Sequence, residues 1–193
     1  MIKELLIILL ASSLINNVVL SQFLGLTPFM ATSKKVESAA SMGAAVILII
    51  TIASAVNAAI YEYVLIPTGT DFLQTVVFIL IIIFIVQFLG MVMNRFMRNT
   101  YRSLGVNLPL IITNSVILGA VFINVRKDYD ILSSTINGFS LAVGFAFVIV
   151  IFASIREKIV YNEIPESFKG LPILLVIAGL MSMAFLGFST LLL

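Results

Sequence analysis

Residues 39–59 and 72–93 are two apolar stretches without one charged side chain, and each is long enough to cross a bilayer. Roughly 20 apolar residues span the hydrocarbon as a helix, so runs of this kind leave little choice beyond a bundle of membrane helices. Four further runs can be drawn on the same basis, over residues 5–29, 108–125, 131–155 and 171–193. Only 10% of the 193 residues are charged, against about 25% in soluble domains. The expected fold is an all-α integral membrane protein of six transmembrane helices. The connections are short, so residues 1–193 form a single membrane domain with no room for a soluble one.

The first run is interrupted. Phe23-Leu24-Gly25-Leu26-Thr27-Pro28-Phe29-Met30 places Gly25 and Pro28 within one turn, which predicts a broken helix. Lipid offers no hydrogen-bond partners, so the loosened backbone must be buried against protein or line a cavity. The second half of the chain echoes the pattern in Leu104-Gly105-Val106-Asn107-Leu108-Pro109-Leu110. Each half then reads as one broken span followed by two plain ones. Three spans per half make the second half enter from the opposite side, so two inverted repeats are expected, about 1–98 and 99–193. Interrupted segments at matching places of two such halves are the best sequence pointer to a membrane site.

Orientation follows from Lys and Arg. One side holds Lys34, Lys35, Arg95, Arg98, Arg102, Arg156, Lys158 and Lys169; the other, with both termini, holds Lys3, Arg126 and Lys127. The positive-inside rule then places both termini outside. All five tyrosines fall at span ends, as an aromatic belt requires. The net charge of +2 reports this topology rather than nucleic-acid binding. Met1-Ile2-Lys3-Glu4 is a weak n-region, and hydrophobicity resumes after Asn16-Asn17, so no cleavable signal peptide is expected. Arg95, Arg98 and Arg102 align on one helix face and read as a headgroup anchor or as a dock for an acidic soluble protein; Arg156-Glu157-Lys158 reads the same way.

No ionisable side chain falls within a span, which removes the usual machinery of a proton pump or carboxylate-based carrier. Cysteine and histidine are absent altogether, excluding disulfides, zinc sites and thiolate-held clusters built from this chain alone. The polar residues left within the spans are neutral. Asn57, Gln87, Asn137 and Ser140 are expected to hydrogen-bond between helices. Asn17, Thr27, Asn114 and Ser115 cluster at the breaks. They could repair the backbone there, coordinate Na⁺ through their oxygens, or tune a cofactor of a partner subunit. Small residues four apart (Ala39/Gly43, Gly138/Ala142/Ala146, Ala178/Ser182) suggest close helix packing within the bundle rather than a homodimer seam.

A family resemblance is carried by Asn16-Asn17, by Phe23–Met30 and by Ser33-Lys34-Lys35-Val36-Glu37. It continues through Leu108-Pro109-Leu110-Ile111, Thr113-Asn114, Leu118-Gly119 and Gly138-Phe139-Ser140. Ile155-Arg156-Glu157 and Ala178-Gly179-Leu180-Met181-Ser182 complete it. Over essentially its whole length the chain resembles the A-type membrane subunits of the Rnf ion-translocating oxidoreductase complex. It resembles less closely the E-type subunits of the Na⁺-pumping NADH:quinone reductase. The resemblance implies a component of the bacterial or archaeal cytoplasmic (inner) membrane, not catalytic alone. Its complex would couple ferredoxin or NAD redox to Na⁺ or H⁺ translocation. It implies pairing with a homologous E-type subunit of opposite topology, among other Rnf-complex subunits. It also implies a [2Fe–2S] cluster shared between the two, whose cysteine positions fall on Thr27 and Ser115. Asn17, Asn114, Pro28 and Pro109 would support those positions, and Gly25 and Gly105 would shape them. Neither Thr27 nor Ser115 is a thiolate. A natural variant without the cluster, an engineered cysteine-free chain and a partner-held cluster all remain open. The rival reading is a stand-alone inverted-repeat transporter for a small solute or ion.

Overall fold

The computed structural model describes residues 17–96 and 108–189, and every regular element within them is helical. Two short helices, α1 (Val18–Gln22) and α2 (Leu26–Thr32), share the first apolar run. The long helix α3 (Val36–Ile60) continues through a π turn, Tyr61–Leu65, to Thr68. After Gly69 reverses the chain with φ 65°, α4 covers Gln74–Phe96. A second divided run holds α5 (Leu108–Ile112) and α6 (Ser115–Arg126). It is followed by α7 (Ile131–Ile159) and α8 (Leu171–Ser189).

Among the described residues three helical stretches are long and apolar enough to cross a membrane, Val36–Thr68, Asp71–Val92 and Ile131–Ile159; Leu110–Arg126 and Leu171–Gly187 are shorter apolar helices. Their outward faces carry Leu80, Phe84, Phe88 and Met91 on α4 and Leu175, Leu180, Met183 and Leu186 on α8, all exposed. A water-soluble protein does not tolerate contiguous apolar surface of that extent; hydrocarbon does.

The core is built on α3 against α7, with α6 and α4 packed on α3 and α8 packed on α1. Lipid gives apolar side chains no reason to associate, so helices approach through small residues and van der Waals contact. A Cβ added to Gly43 would fall 2.8 Å from the Ala146 Cβ, and one added to Gly138 would fall 2.2 Å from the Ser54 Oγ. These contacts bear out the small-residue reading of Gly43, Gly138 and Ala146. Phe29, Phe78, Phe145 and Phe152 fill the remaining space, with Phe29 and Phe152 ring centroids 4.6 Å apart.

Of the scattered polar residues expected to bond between helices, Asn137 does so, whereas Asn57 and Ser140 bond back to the carbonyl four residues earlier in their own helices. Asn137 Nδ2 donates to Asn124 Oδ1 at 2.6 Å, Asn57 Nδ2 to the Ala53 carbonyl at 2.7 Å, and Ser140 Oγ to the Ile136 carbonyl at 2.8 Å. Gln87 is exposed.

Candidate functional site

The first break is made by backbone conformation. Phe23 has φ 54° and Gly25 φ 75°, both left-handed, so the chain leaves α1 and restarts at Leu26. A bulky residue such as Phe23 is a genuine outlier there. Pro28 is the third residue of α2, inside the first turn where its missing N–H costs no helical bond. Pro28 therefore starts the second half-helix; Phe23 and Gly25 make the break.

The backbone groups released by this break are taken up by distant helices. The Gly25 N–H donates to Ser115 Oγ at 2.8 Å. Ser182 Oγ on α8 donates to the Leu20 carbonyl at 2.6 Å. Arg156 Nη1 on α7 donates to the Met30 carbonyl at 2.8 Å and to Ser33 Oγ at 3.1 Å. Thr32 Oγ1 returns to the Pro28 carbonyl at 2.7 Å. Asn17, buried just before α1, donates through Nδ2 to the Gly144 carbonyl of α7 at 2.9 Å. Irregular backbone at membrane depth is tolerated only with such internal satisfaction.

The second apolar run is interrupted among its described residues as well. Residues 104–107, Gly105 among them, lie outside the described residues; Pro109 is in the first turn of α5, and the interruption falls at Thr113-Asn114. Asn114 causes it. Its backbone is extended (φ −74°, ψ 109°), and its Oδ1 accepts the Val116 N–H at 3.1 Å, capping α6. An N-cap asparagine offers the chain an alternative to continuing the helix.

The two breaks meet. The Ser115 hydroxyl, at the first position of α6, holds the Gly25 N–H, while a Cβ on Gly25 would lie 2.8 Å from Asn114 Oδ1. Only glycine permits this approach. Thr27, two residues beyond Gly25, and Ser115 are both exposed, as are Ser21, Phe23 and Thr113. Pro28, Asn17 and Asn114 are buried, and the buried Asn114 Nδ2 has no hydrogen-bond partner. The fold thus brings Asn114 and Ser115 against the Gly25 turn beside Thr27, and sets Asn17 on α7.

Thr27 and Ser115 supply hydroxyl oxygens, one of which already accepts a backbone N–H. Alcohols stay protonated near neutral pH and are hard donors, whereas iron–sulfur clusters are held by soft thiolates. The chain has no Cys or His at all, and among the described residues no three Asp or Glu gather as a metal group. This donor set does not fit a [2Fe–2S] cluster.

The charge pattern reads Arg156 and Glu157 as a headgroup anchor, and the structure gives them another role. Arg156 ties the carbonyl end of α2, and Glu157 Oε1 accepts the Val36 N–H at 2.8 Å, the first residue of α3. Their partners are 126 and 121 residues away, so no local spacing could reveal them. Arg156→Gln should lower stability by about 1.5 kcal/mol, the lower end for a hydrogen bond to a charged group because Arg156 is only half-buried. Thermal unfolding in detergent measures it. An unchanged midpoint would return Arg156 to the lipid surface.

A family profile described as "Rnf-Nqr subunit, membrane protein" matches residues 5–192. The chain is 46% identical over 186 residues to the A-type subunit of the ion-translocating oxidoreductase complex of Hahella chejuensis, covering 96% of each. It is 45% identical over the same length to the equally named proteins of Aliivibrio salmonicida and Vibrio cholerae serotype O1 (El Tor Inaba), again with 96% of each chain covered.

Proposed function

Because this chain belongs to the Rnf-Nqr family of membrane subunits, we propose that it is the A-type membrane subunit of an ion-translocating oxidoreductase complex. Identity near 45% over 96% of the chain to relatives bearing that name carries the reading. Other subunits of the complex are its partners.

The finer arrangement is six spans in two inverted repeats, about 1–98 and 99–193. The order α1–α2, α3, α4 followed by α5–α6, α7, α8 supports it. The partner at the break is a homologous E-type subunit of opposite topology, received on the exposed side of Thr27 and Ser115. The complex sits in the cytoplasmic (inner) membrane with both termini of this chain outside. It couples ferredoxin or NAD redox to movement of Na⁺ or H⁺, and this chain breaks no bonds itself. Thr27 and Ser115 supply polar contacts rather than cluster ligands, so any [2Fe–2S] cluster at that level is held by the partner's thiols alone.

Affinity purification from native membranes tests this. The chain should co-purify with at least one further multi-span subunit of its family, and the pair should lack the electron paramagnetic resonance signal of a cluster shared between both. Recovery of a folded, solute-binding monomer would overturn the complex. A four-cysteine [2Fe–2S] signal in the pair would leave the complex standing and assign every ligand to the partner.

A further inference from the structure

A cleft of about 580 Å³ opens where α3 begins and α7 ends, and Lys34, Lys35 and Lys158 line it together with Ser154, Val160 and Tyr161. Small-molecule sites have volumes of about 300–1,000 Å³, so the space is large enough to be one. The lysines come from two segments far apart in sequence, and the loop carrying Lys34 and Lys35 is pinned on both sides. Before the pair, Ser33 Oγ accepts from Arg156 Nη1 at 3.1 Å; after it, the Val36 N–H donates to Glu157 Oε1 at 2.8 Å. Arg156 and Glu157 thereby clamp the lysine pair against the end of α7, where Lys158 follows them.

Charge and depth decide what the cleft can receive. None of the three lysines has an ion-pair partner among the described residues, where the pair Lys169–Glu166 lies elsewhere. Glu157 is the one carboxylate in the wall, and its Oε1 is taken by the Val36 N–H. Three cations gathered around one committed carboxylate repel one another and draw in an anion. As for depth, Val36 opens the apolar stretch Val36–Thr68 and Ile159 closes the stretch Ile131–Ile159, so the lysines stand at the water boundary. Ser154 lies four residues before Lys158, about 6 Å further into the span at 1.5 Å rise per residue. Its Oγ already donates to the Val150 carbonyl at 2.9 Å, so the inner end of the cleft offers no free donor. Val160 and Tyr161 are 77% and 89% exposed beside it, the amphipathic rim that tyrosine provides at membrane interfaces.

We propose that this cleft binds the headgroup of one anionic phospholipid, its phosphate among Lys34, Lys35 and Lys158 and its glycerol end running inward toward Ser154. Basic pockets between membrane helices are suited to such headgroups. Lysine is a flexible point charge with three rotatable donors, which matches a phosphate carried on a mobile chain. A soluble acidic protein would meet the lysines from the water side and could not follow the cleft below the boundary. Free phosphate would leave the inner end to water. A zwitterionic headgroup would bring its own cation against three others, and like charges set side by side select against a ligand. A bound lipid would join the loop before α3 to the end of α7, alongside the clamp formed by Arg156 and Glu157. This inference rests on the membrane-spanning helices and does not depend on the complex-subunit reading.

The test is thermal unfolding of the protein, with whatever subunits accompany it, stripped of lipid in a neutral detergent and titrated with dioleoylphosphatidylglycerol. The midpoint should rise by about 2–4 °C, the shift expected from modest occupancy. Dioleoylphosphatidylcholine or inorganic phosphate at the same concentration should give less than half of that rise. Lys34→Gln, Lys35→Gln and Lys158→Gln, at exposed positions that folding does not need, should leave the lipid-free midpoint unchanged. Each should raise the lipid concentration at half-effect about fivefold. Lys169→Gln, outside the cleft, should change neither. An equal rise from phosphatidylcholine would mean general solvation by lipid and overturn the proposal, and an equal rise from inorganic phosphate would overturn the lipid assignment. So would a phosphatidylglycerol rise that survives loss of all three lysines, or one that Lys169→Gln weakens as much. Loss of an accompanying subunit from the triple variant, with the lipid response intact, would make the lysines a protein dock instead.

Discussion

Gly25→Ala is expected to lower the unfolding midpoint by about 10 °C or more, or to prevent recovery of folded protein from membranes. Two costs combine. The backbone at Gly25 has φ 75°, where an L side chain costs about 1–2 kcal/mol. The new Cβ would also lie 2.4 Å from Val116 Cγ2 and 2.8 Å from Asn114 Oδ1. Atoms that are not bonded do not approach so closely, so α6 would have to retreat, at about 1–3 kcal/mol for overpacking. Its retreat would pull Ser115 Oγ off the Gly25 N–H and strand that donor in a lipid-facing protein. The sum is a large share of the 5–15 kcal/mol that holds a typical fold. Gly69→Ala is the control. Gly69 has nearly the same φ of 65° but nothing within 4 Å of an added Cβ, so only the conformational cost applies. Equal effects at both positions would refute the contact between the two breaks.

How much of this can be read from residues alone depends on whether the cause is local. Phe23–Met30 is legible because glycine and proline act on their own backbone. Even so, the sequence suggests that Pro28 shares in the break, and the structure puts Pro28 in an ordinary first turn while Phe23 and Gly25 carry the left-handed turn. At the second break the Gly-Pro pattern draws attention to residues 104–110. Residues 104–107 of that stretch lie outside the described residues, and the interruption seen among the described ones falls at Thr113-Asn114, where a side-chain cap starts the next helix. An asparagine that caps is indistinguishable in sequence from one that hydrogen-bonds mid-helix, so Asn114 can be named as a candidate but not as the cause. Asn124, Arg156 and Glu157 give no hint of their roles, which are fixed by partners on other helices. Thr27 and Ser115 match cluster positions only through family resemblance; nothing in their own chemistry would pair residues so far apart. The α3–α7 seam is legible, since small residues at helical spacing have few other uses in lipid.

That seam carries the second large effect. Gly138→Ala is expected to destabilise the protein by about 1–3 kcal/mol, although alanine is the better helix former by about 1 kcal/mol. The added Cβ would sit 2.2 Å from Ser54 Oγ, 2.6 Å from Ser54 Cβ and 3.3 Å from the Ile50 carbonyl oxygen. The hydroxyl could rotate away; Ser54 Cβ is fixed to the α3 backbone and could not. The helices must therefore separate along their closest contact, and dispersion falls off steeply with such a gap. The compensating substitutions should rank by what they remove. Ser54→Ala takes away the oxygen and leaves the Cβ overlap, so the pair with Gly138→Ala should recover little. Ser54→Gly removes both and should restore most of the loss, leaving only the Ile50 carbonyl close to the new methyl. Thermal unfolding of the single and paired variants closes a double-mutant cycle in which residues in direct contact are strongly non-additive. If Ser54→Ala rescued as well as Ser54→Gly, the limiting contact would be the hydroxyl alone, and α3 and α7 would lie farther apart at this level than their backbones do here.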